Sequence, residues 1–456
     1  MKERESLGSR LGFILLSAGC AIGIGNVWRF PYMVGENGGG LFVLVYVLFL
    51  LILGVPVMTM EYAIGRSSRV SLLSAYKKLE PPNTKWHIFG YFAIAGNYLL
   101  LMFYSVVSGW ILRYFVLSFA GAFEGQGPDN IELIYKEMMS SPWVMTLFMV
   151  ITMAITMFVT SMGLEAGVEK ITKVMMIVLI IIMIILGIRS LLLPNASEGV
   201  KFYLMPNAEN VRKVGLGNVL YGALNQSFFT LSLGIGSMEI FGSYIKKERS
   251  LVGEALLVAG LDTFVAIVAG LITIPACFAY GVAPDKGPSL IFLTLPNIFA
   301  SMKGGRIIGS LFFLFMYFAA LSTMIGVFEN DVSFSIDLFG HERKKAVAIA
   351  GIVITLGSIP CVLGFNVWSA FQPLKAGNTI MDLEDFMVSN MLLPIGAFVC
   401  CLFCTCKYGW GFDNYIEEVN SGVGIKMTRA LKWYFKIVLP AILAFLAIYG
   451  LWSYFA

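Results

Sequence analysis

The chain has 456 residues, enough for about three soluble domains of roughly 150 residues, but its composition excludes that organisation. Hydrophobic residues make up 58% of the chain and charged residues only 13%, against about 25% charged residues in an ordinary soluble domain. The net charge is +4, and no basic face with interleaved aromatic residues suggests a nucleic-acid partner. The sequence therefore predicts an all-α polytopic membrane protein whose surroundings are a lipid bilayer.

Windows with few or no charged residues predict eleven transmembrane helices. They cover residues 11–33, 41–62, 87–112, 142–160, 174–194, 214–242, 253–281, 306–336, 346–364, 376–406 and 433–455. If the N-terminus is internal, most of the 32 lysine and arginine residues fall in internal segments. The positive-inside rule then predicts a cytoplasmic N-terminus and an external C-terminus.

The first and sixth spans share a motif. Gly-Ile-Gly at 23–25 stands beside Asn26, and the same tripeptide at 234–236 follows Ser232. Because the motif recurs five spans later, spans 1–5 and 6–10 are predicted to be two copies of one unit, inverted in the membrane. Such glycine spacing also suits close helix packing, but interrupted spans in corresponding places of two halves mark transporter sites.

This repeat divides the chain into five parts. They are a cytoplasmic segment 1–10, a first repeat 11–194, a second repeat 214–406, a cytoplasmic loop 407–432 and the eleventh span in 433–456. Ionisable residues within the spans need partners, since each costs at least a few kcal/mol in the bilayer. For Glu61 we expect a structural role, because a broken helix exposes amide donors that a carboxylate accepts.

The sequence has few residues suited to catalysis or to a structural metal site. The two histidines lie near span ends and no serine has an evident histidine partner, so an intramembrane hydrolase is not favoured and we expect no enzyme activity. All seven cysteines lie within or at the ends of spans, so an external disulfide framework is not expected. Four of them at 400–406 on one helix cannot surround zinc tetrahedrally, and helix packing explains them better.

Three stretches resemble the neurotransmitter:sodium symporter family in its bacterial amino-acid-transporting branch. They are Gly-Ile-Gly-Asn-Val-Trp-Arg-Phe-Pro at 23–31, Glu-Asn-Gly-Gly-Gly at 36–40 and Phe-Phe-Thr-Leu-Ser-Leu-Gly at 228–234. The resemblance covers essentially the whole chain. It implies the LeuT-type fold, a five-plus-five inverted repeat with broken first and sixth spans. It also implies a monomer or weak homodimer in the bacterial inner membrane, which couples sodium to uptake of a neutral hydrophobic or aromatic L-amino acid.

The resemblance implies two sodium sites made only of oxygen ligands, which a hard cation prefers. The first would use Ala21, Asn26, Thr230 and Asp262, and the second Gly19, Ile22, Ala319, Ser322 and Thr323. The implied substrate site adds the Tyr104 hydroxyl for the substrate carboxylate and backbone groups of the two breaks. Its residues are Ala21, Gly23, Ile24, Gly25, Leu100, Tyr104, Phe229, Thr230, Ser232, Ile235, Thr323 and Val327.

The family also implies two gates for alternating access. Arg29 and Asp385 match an external ion pair, and Arg4 and Asp337 match an internal pair with Tyr244 nearby. Two positions depart from the family pattern. Leu7 replaces a tryptophan that plugs the internal pathway in relatives, and Ile177 replaces a proline of the fifth span.

The prediction that transport needs no chloride depends on Asp262. Chloride-dependent relatives have asparagine at this position, and other bacterial members keep it and place a glutamate one turn later, where this chain has Ala266. A fixed carboxylate supplies the charge that balances two sodium ions and a zwitterion, so no chloride requirement is expected. A further hypothesis is that Asp262 without sodium carries a proton back.

Two alternatives use the same fold. One is a proton-coupled amino acid transporter, although such relatives tend to carry a fifth-span lysine and the chain between Lys173 and Arg189 has none. The other is a non-transporting amino acid sensor, whose binding residues would look the same in sequence.

Overall fold

The fold is helical throughout the computed structural model, which describes residues 5–282 and 289–455. The first ten α-helices are α1 Arg10–Ala21, α2 Phe30–Glu36, α3 Gly40–Phe49, α4 Val55–Ser68, α5 Leu72–Leu79, α6 His87–Ala120, α7 Pro128–Ser140, α8 Pro142–Ser161, α9 Lys170–Leu191 and α10 Ala196–Leu204. The remaining ones are α11 Ala208–Val214, α12 Leu216–Phe229, α13 Ser237–Tyr244, α14 Leu251–Ala279, α15 Leu295–Ser301, α16 Gly305–Phe339, α17 Arg343–Leu363, α18 Ile380–Phe386, α19 Leu393–Thr405, α20 Phe412–Val419 and α21 Leu439–Phe455. Within the described residues, extended pairing is limited to an isolated bridge between Arg249 and Val423.

Short π-helical segments join several of these helices into longer rods. They are Gly25–Arg29, Leu50–Gly54, Leu164–Glu169, Leu290–Thr294, Met387–Leu392 and Tyr434–Val438. In the described part of the chain, nine helices are long and apolar enough to cross a membrane, or ten if the bent pair Arg10–Ala21 and Gly25–Glu36 counts as one span. The sixth predicted span consists of α12 and α13, which are individually too short to meet that length. The count of eleven therefore stays a prediction.

Predicted boundaries agree best where the apolar stretch and the helix end together. Span 4 is predicted at 142–160 and its helix is Pro142–Ser161. Span 5 differs, because the continuous helix begins at Leu164 rather than near 174. Its first turns contain Glu169 and Lys170, and a helix keeps its backbone hydrogen bonds beyond the apolar core of a bilayer. An apolar window finds only the part of a helix that lipid surrounds.

Burial separates central helices from peripheral ones. The most apolar window of α16 is 83% buried inside the protein, whereas that of α8 is 39% buried. The outer helices expose apolar side chains instead: on α9, Val174, Ile181 and Ile188 are each more than half exposed. An apolar exterior around a packed interior suits lipid rather than water as the surrounding solvent.

The broken spans lie in the middle of this arrangement. The first break is surrounded by α9, α14 and α16, and α13 packs along α4. Long helices thus enclose both interruptions, so backbone groups freed at the breaks face protein rather than lipid, as a membrane requires.

Two positions that depart from the family pattern have different surroundings. Ile177 lies on the outer face of α9 and is 45% exposed, and α9 runs unbroken from Lys170 to Leu191. Leu7 is half-buried and lines a cavity of about 150 Å³ together with Phe13 and Tyr244. This cavity lies beside the beginning of α1, where the family would place a larger aromatic side chain.

Candidate functional site

The two interruptions are joined to each other in the interior. The helix axis bends by 58° between Arg10–Ala21 and Gly25–Glu36. Between α12 and α13 the backbone takes positive φ at Ser232 (51°), Gly234 (103°) and Gly236 (74°). Such values are uncommon for a residue with a side chain, so Ser232 is held by its surroundings. The Gln226 side chain donates a hydrogen bond of 3.2 Å to the Gly25 carbonyl and ties the two breaks together.

Close packing requires glycine at the shared motif. A Cβ atom at Gly23 would lie 2.4 Å from the Tyr104 hydroxyl, and one at Gly25 would lie 2.9 Å from the Phe229 ring. In the sixth span, a Cβ atom at Gly234 would lie 2.1 Å from the Leu393 carbonyl oxygen. A side chain at Gly234 would therefore collide with the backbone of a neighbouring helix, and one at Gly23 or Gly25 would displace the Tyr104 hydroxyl or the Phe229 ring.

Polar side chains from neighbouring helices satisfy the second break. Glu61 is 2% exposed and accepts hydrogen bonds from the amide of Gly234 at 2.6 Å and from that of Met238 at 3.1 Å. Asn97 and Asn330 donate to the Ile235 carbonyl at 2.8 and 3.5 Å. Sequence reasoning missed both asparagines. Their signal was a polar residue seven positions from Tyr104 and seven from Thr323, on the same helical faces.

A first cluster of polar groups contains a buried carboxylate. The Asn26 amide donates to an Asp262 carboxylate oxygen at 2.7 Å and to the Thr230 hydroxyl at 2.9 Å. The Thr230 hydroxyl donates to the other Asp262 oxygen at 3.0 Å, and the Tyr46 hydroxyl to the same oxygen at 3.3 Å. Asp262 is fully buried, and these partners are all uncharged. Tyr46 was not predicted from the sequence as a member of this cluster. Ala21 was predicted, and it is the last residue of α1, immediately before the break.

A second cluster faces the end of α1 from α16. The Thr323 hydroxyl oxygen lies 3.4 Å from the Gly19 carbonyl oxygen, 3.2 Å from that of Ile22 and 3.3 Å from that of Ala319. Ser322 donates to the same Ala319 carbonyl at 3.0 Å. The five residues expected to form a second cation site thus lie together, and every contacting atom is oxygen. Oxygen is the ligand that a hard cation such as sodium prefers.

Between these clusters, Tyr104 contacts the first break. Its hydroxyl accepts a hydrogen bond of 2.8 Å from the Ile24 amide. The side chains of Leu100, Ile235 and Val327 are buried. Of the other predicted pocket residues, Ile24 and Thr323 are buried, and Phe229 and Ser232 are half-buried. A hydroxyl and a backbone amide at a helix break form a neutral cradle suited to a carboxylate.

The predicted outer pair is not within ion-pair distance. The Arg29 guanidinium lies over the Phe229 ring, 4.1 Å from its centroid. Asp385 instead accepts a hydrogen bond from Ser389 at 2.7 Å. Since a cation above an aromatic face is itself stabilised, Arg29 has a partner in this conformation without Asp385.

Of the predicted internal pair, Arg4 lies outside the described residues. Asp337 accepts a hydrogen bond from the Ser71 amide at 2.6 Å. Tyr244 donates to Glu329 at 2.7 Å.

Arg343 completes a network that sequence reasoning missed. Its guanidinium contacts both carboxylate oxygens of Glu329, at 2.8 and 2.9 Å, and reaches Glu5 at 2.8 Å. Glu329 is fully buried, and a buried charge requires such pairing. The signal available in the sequence was an acidic residue on α16 and a basic residue at the beginning of α17.

Comparison with known proteins places this site in a family. The model of the sodium:neurotransmitter symporter family matches residues 4–127 and 130–456. The chain belongs to this family. It is therefore a sodium-dependent membrane transporter rather than an enzyme.

Relatives and a solved structure match over almost the full length. An uncharacterized sodium-dependent transporter of Bacillus subtilis, YhdH, is 34% identical, with 100% of each chain covered. The sodium-dependent serotonin transporter of Drosophila melanogaster is 27% identical over 99% of this chain and 77% of its own. A crystal structure of MhsT in complex with L-phenylalanine has a TM-score of 0.87 and 35% identity, covering 99% of this chain and 100% of that one. The predicted all-α fold of the LeuT type is confirmed.

Proposed function

We propose that this family member couples sodium to the uptake of a neutral hydrophobic or aromatic L-amino acid by alternating access. One observation carries the proposal: the Tyr104 hydroxyl meets the Ile24 amide at the first break, at 2.8 Å. A substrate carboxylate bound there would accept hydrogen bonds from both groups, and its ammonium would face the carbonyls of the second break. The MhsT structure was solved in complex with L-phenylalanine, an amino acid of the proposed class.

Two sodium ions are proposed as co-transported ions. The Asp262 cluster would hold one ion beside the substrate carboxylate, and the Ser322–Thr323 cluster would hold the other. The second cluster joins α16 to the end of α1 through the Gly19 and Ile22 carbonyls. An ion there would hold the two elements together, and its departure would free α1 to move, which couples sodium release to inward opening.

The fixed charge of Asp262 supports the proposal that transport does not require chloride. Asp262 is fully buried and its hydrogen-bond donors are Asn26, Thr230 and Tyr46, all neutral. Because no cationic side chain neutralises it in these contacts, its negative charge is available to a sodium ion. A mobile anion is then unnecessary.

The residues of α9 beside the second cluster favour sodium, rather than a proton, as the co-transported ion. Gly19 faces the side chains of Thr172 and Met176. Both are uncharged, so α9 supplies no lysine ammonium at this point to replace a sodium ion.

Ligand binding tests the proposal directly. Purified protein in nanodiscs is titrated with each of the twenty amino acids against radiolabelled L-phenylalanine, with sodium or with choline as the cation. We expect displacement by large neutral L-amino acids in sodium and little binding in choline. Tight binding of charged or very small amino acids alone would overturn the proposed substrate class.

Counterflow separates a transporter from a sensor. Proteoliposomes loaded with unlabelled L-phenylalanine should accumulate the labelled amino acid from outside, because a carrier exchanges substrate across the membrane. Binding without exchange would identify a sensor and contradict the proposed transport.

A further inference from the structure

Two buried amide oxygens near the predicted pocket have no hydrogen-bond partner. They are Oδ1 of Asn97 and Oδ1 of Asn330. Both residues are fully buried, and each is in a membrane-crossing helix, Asn97 in α6 and Asn330 in α16. A buried acceptor without a donor is unfavourable, so this pair of atoms requires an explanation.

Neighbouring carbonyl groups fix which way each amide points. The Asn97 amide nitrogen donates to the Ala93 and Ile235 carbonyls at 2.9 and 2.8 Å. That of Asn330 faces the Ile235 and Gly236 carbonyls at 3.5 and 3.4 Å. Carbonyls accept and cannot donate, so reversing either amide would oppose two acceptors. The oxygens must therefore point away from the backbone, and they cannot satisfy each other because both are acceptors.

By helix spacing, both asparagines lie about two turns from residues of the predicted substrate pocket. Asn97 precedes Tyr104 by seven residues and Leu100 by three, and Asn330 follows Thr323 by seven and Val327 by three. At these spacings, residues share one helix face. Seven residues span about 10.5 Å of helix, comparable with the length of an aromatic amino acid.

The same carbonyl brings the two residues together. Asn97 and Asn330 approach the Ile235 carbonyl from different helices, and a Cβ atom at Gly96 would lie 3.2 Å from the Ile235 side chain. Ile235 belongs to the predicted pocket, so both asparagines lie beside a residue of that pocket. We call this pair, Asn97 and Asn330, the polar floor.

We propose that the polar floor selects a substrate whose side chain ends in a hydrogen-bond donor, such as an indole N–H or a phenol O–H. This inference rests on the proposed function and refines its substrate class. Aliphatic side chains and phenylalanine fill the apolar walls but leave both acceptors unpaired. A site built to receive a donor discriminates strongly against an analogue that lacks it, whereas apolar walls alone discriminate weakly.

Isosteric ligands test the inference on the unmodified protein. Displacement of radiolabelled L-phenylalanine is measured in sodium for L-tryptophan and for 3-benzothienyl-L-alanine, in which sulfur replaces the indole N–H. L-tyrosine is compared with 4-fluoro-L-phenylalanine in the same way. We expect the donor-bearing member of at least one pair to bind tenfold or more tightly than its isostere. Equal affinities within both pairs would overturn the role of the polar floor while leaving amino acid binding intact.

Variants assign the effect to its residues. In Asn97→Leu and Asn330→Leu, the affinity ratio within each pair should fall toward one. The ratio compares two ligands on the same variant, so a general loss of affinity from the lost contact with the Ile235 carbonyl cancels. The matched control is Asn218→Ala, since Asn218 is exposed and its side-chain amide donates to the Val214 carbonyl of its own helix region. An unchanged ratio in both leucine variants would overturn the assignment. If the unmodified protein binds no neutral amino acid at all, the proposed function fails and this inference fails with it.

Discussion

In the proposed function, the single residue Asp262 sets the ionic requirement of the transporter. Its carboxylate is fully buried and is held by Asn26, Thr230 and Tyr46. An ionised carboxylate in such a position is costly unless a cation accompanies it. If sodium binds here as proposed, the ion offsets the cost of burying this carboxylate. A neutral residue at this point would leave bound cations without a counter-charge and would create a need for an external anion.

We predict that Asp262→Asn makes transport depend on chloride. The substitution keeps the shape of the side chain but removes its charge. Uptake of L-phenylalanine by the variant should fall at least tenfold when gluconate replaces chloride, whereas uptake by the unmodified protein should be the same in both salts. A large loss of uptake by the unmodified protein in gluconate would contradict the assigned counter-charge.

Tyr104 should contribute to affinity through its hydroxyl. Tyr104→Phe removes one donor to the substrate carboxylate and the acceptor of the Ile24 amide. Hydrogen bonds to charged groups contribute about 1.5–3 kcal/mol, so binding of L-phenylalanine should weaken roughly ten- to hundredfold. Tyr91→Phe on the same helix is the control, since Tyr91 is 54% exposed. Equal affinities of the two variants would exclude the hydroxyl from binding.

At the scale of elements, the broken sixth span depends on partners from helices distant in sequence. A seven-residue interruption would leave amides and carbonyls unpaired in the membrane. Glu61 of α4 accepts hydrogen bonds from the amide of Gly234 in the interruption and from that of Met238 in the first turn of α13. Asn97 and Asn330 donate to a carbonyl of the interruption. Side chains from other helices therefore stabilise the interruption as a defined part of the fold.

Glu61→Gln should destabilise this element. The glutamine oxygen can accept one of the two amides, but its NH₂ group would face the other N–H, so a donor would meet a donor. We expect a loss of about 1–3 kcal/mol, measured as a lower thermal unfolding temperature in detergent. Glu132→Gln is the control, because Glu132 forms an exposed i,i+4 pair with Lys136. Equal unfolding temperatures for the two variants would contradict the role assigned to Glu61.

The sequence predicted elements better than their partners. The Gly-Ile-Gly motifs located both breaks, because the backbone of a broken helix requires glycine at the break itself, and this requirement is visible in the local sequence. The role expected for Glu61 followed from the same logic, since a break must expose amides. In contrast, Tyr46, Asn97 and Asn330 were missed, because a polar residue in an apolar helix does not reveal which distant segment it will contact. Lengths also differed: apolar windows could not show that span 5 begins at Leu164.

At the scale of the whole molecule, the two sides of the membrane differ in their contacts. On the side predicted to be external, Arg29 contacts the Phe229 ring rather than Asp385. On the side predicted to be internal, Arg343 joins Glu329 of α16 to Glu5, which precedes α1. The contacts of Arg343 link the start of α1 to the central helix, whereas Arg29 and Asp385 do not form an ion pair. Alternating access requires such contacts to form on one side at a time.

Arg343→Ala should loosen the inner side. The variant leaves Glu329 buried without its ion pair and releases Glu5, so α1 gains freedom to move. We expect faster hydrogen–deuterium exchange in Arg10–Ala21 than in the unmodified protein. Lys432→Ala serves as the control, because Lys432 forms an ion pair with the exposed Asp413. Exchange in α1 equal to that of the control would show that this network does not hold the inner side closed.

Sodium coupling is the central claim, and uptake driven by an imposed sodium gradient tests it most directly. Proteoliposomes containing the purified protein are diluted into radiolabelled L-phenylalanine with sodium outside, or with choline in its place, at matched membrane potential and pH. The predicted result is transient accumulation above the external concentration with sodium and none with choline. Equal accumulation without sodium, driven by a proton gradient instead, would contradict the assignment of the two oxygen clusters to sodium.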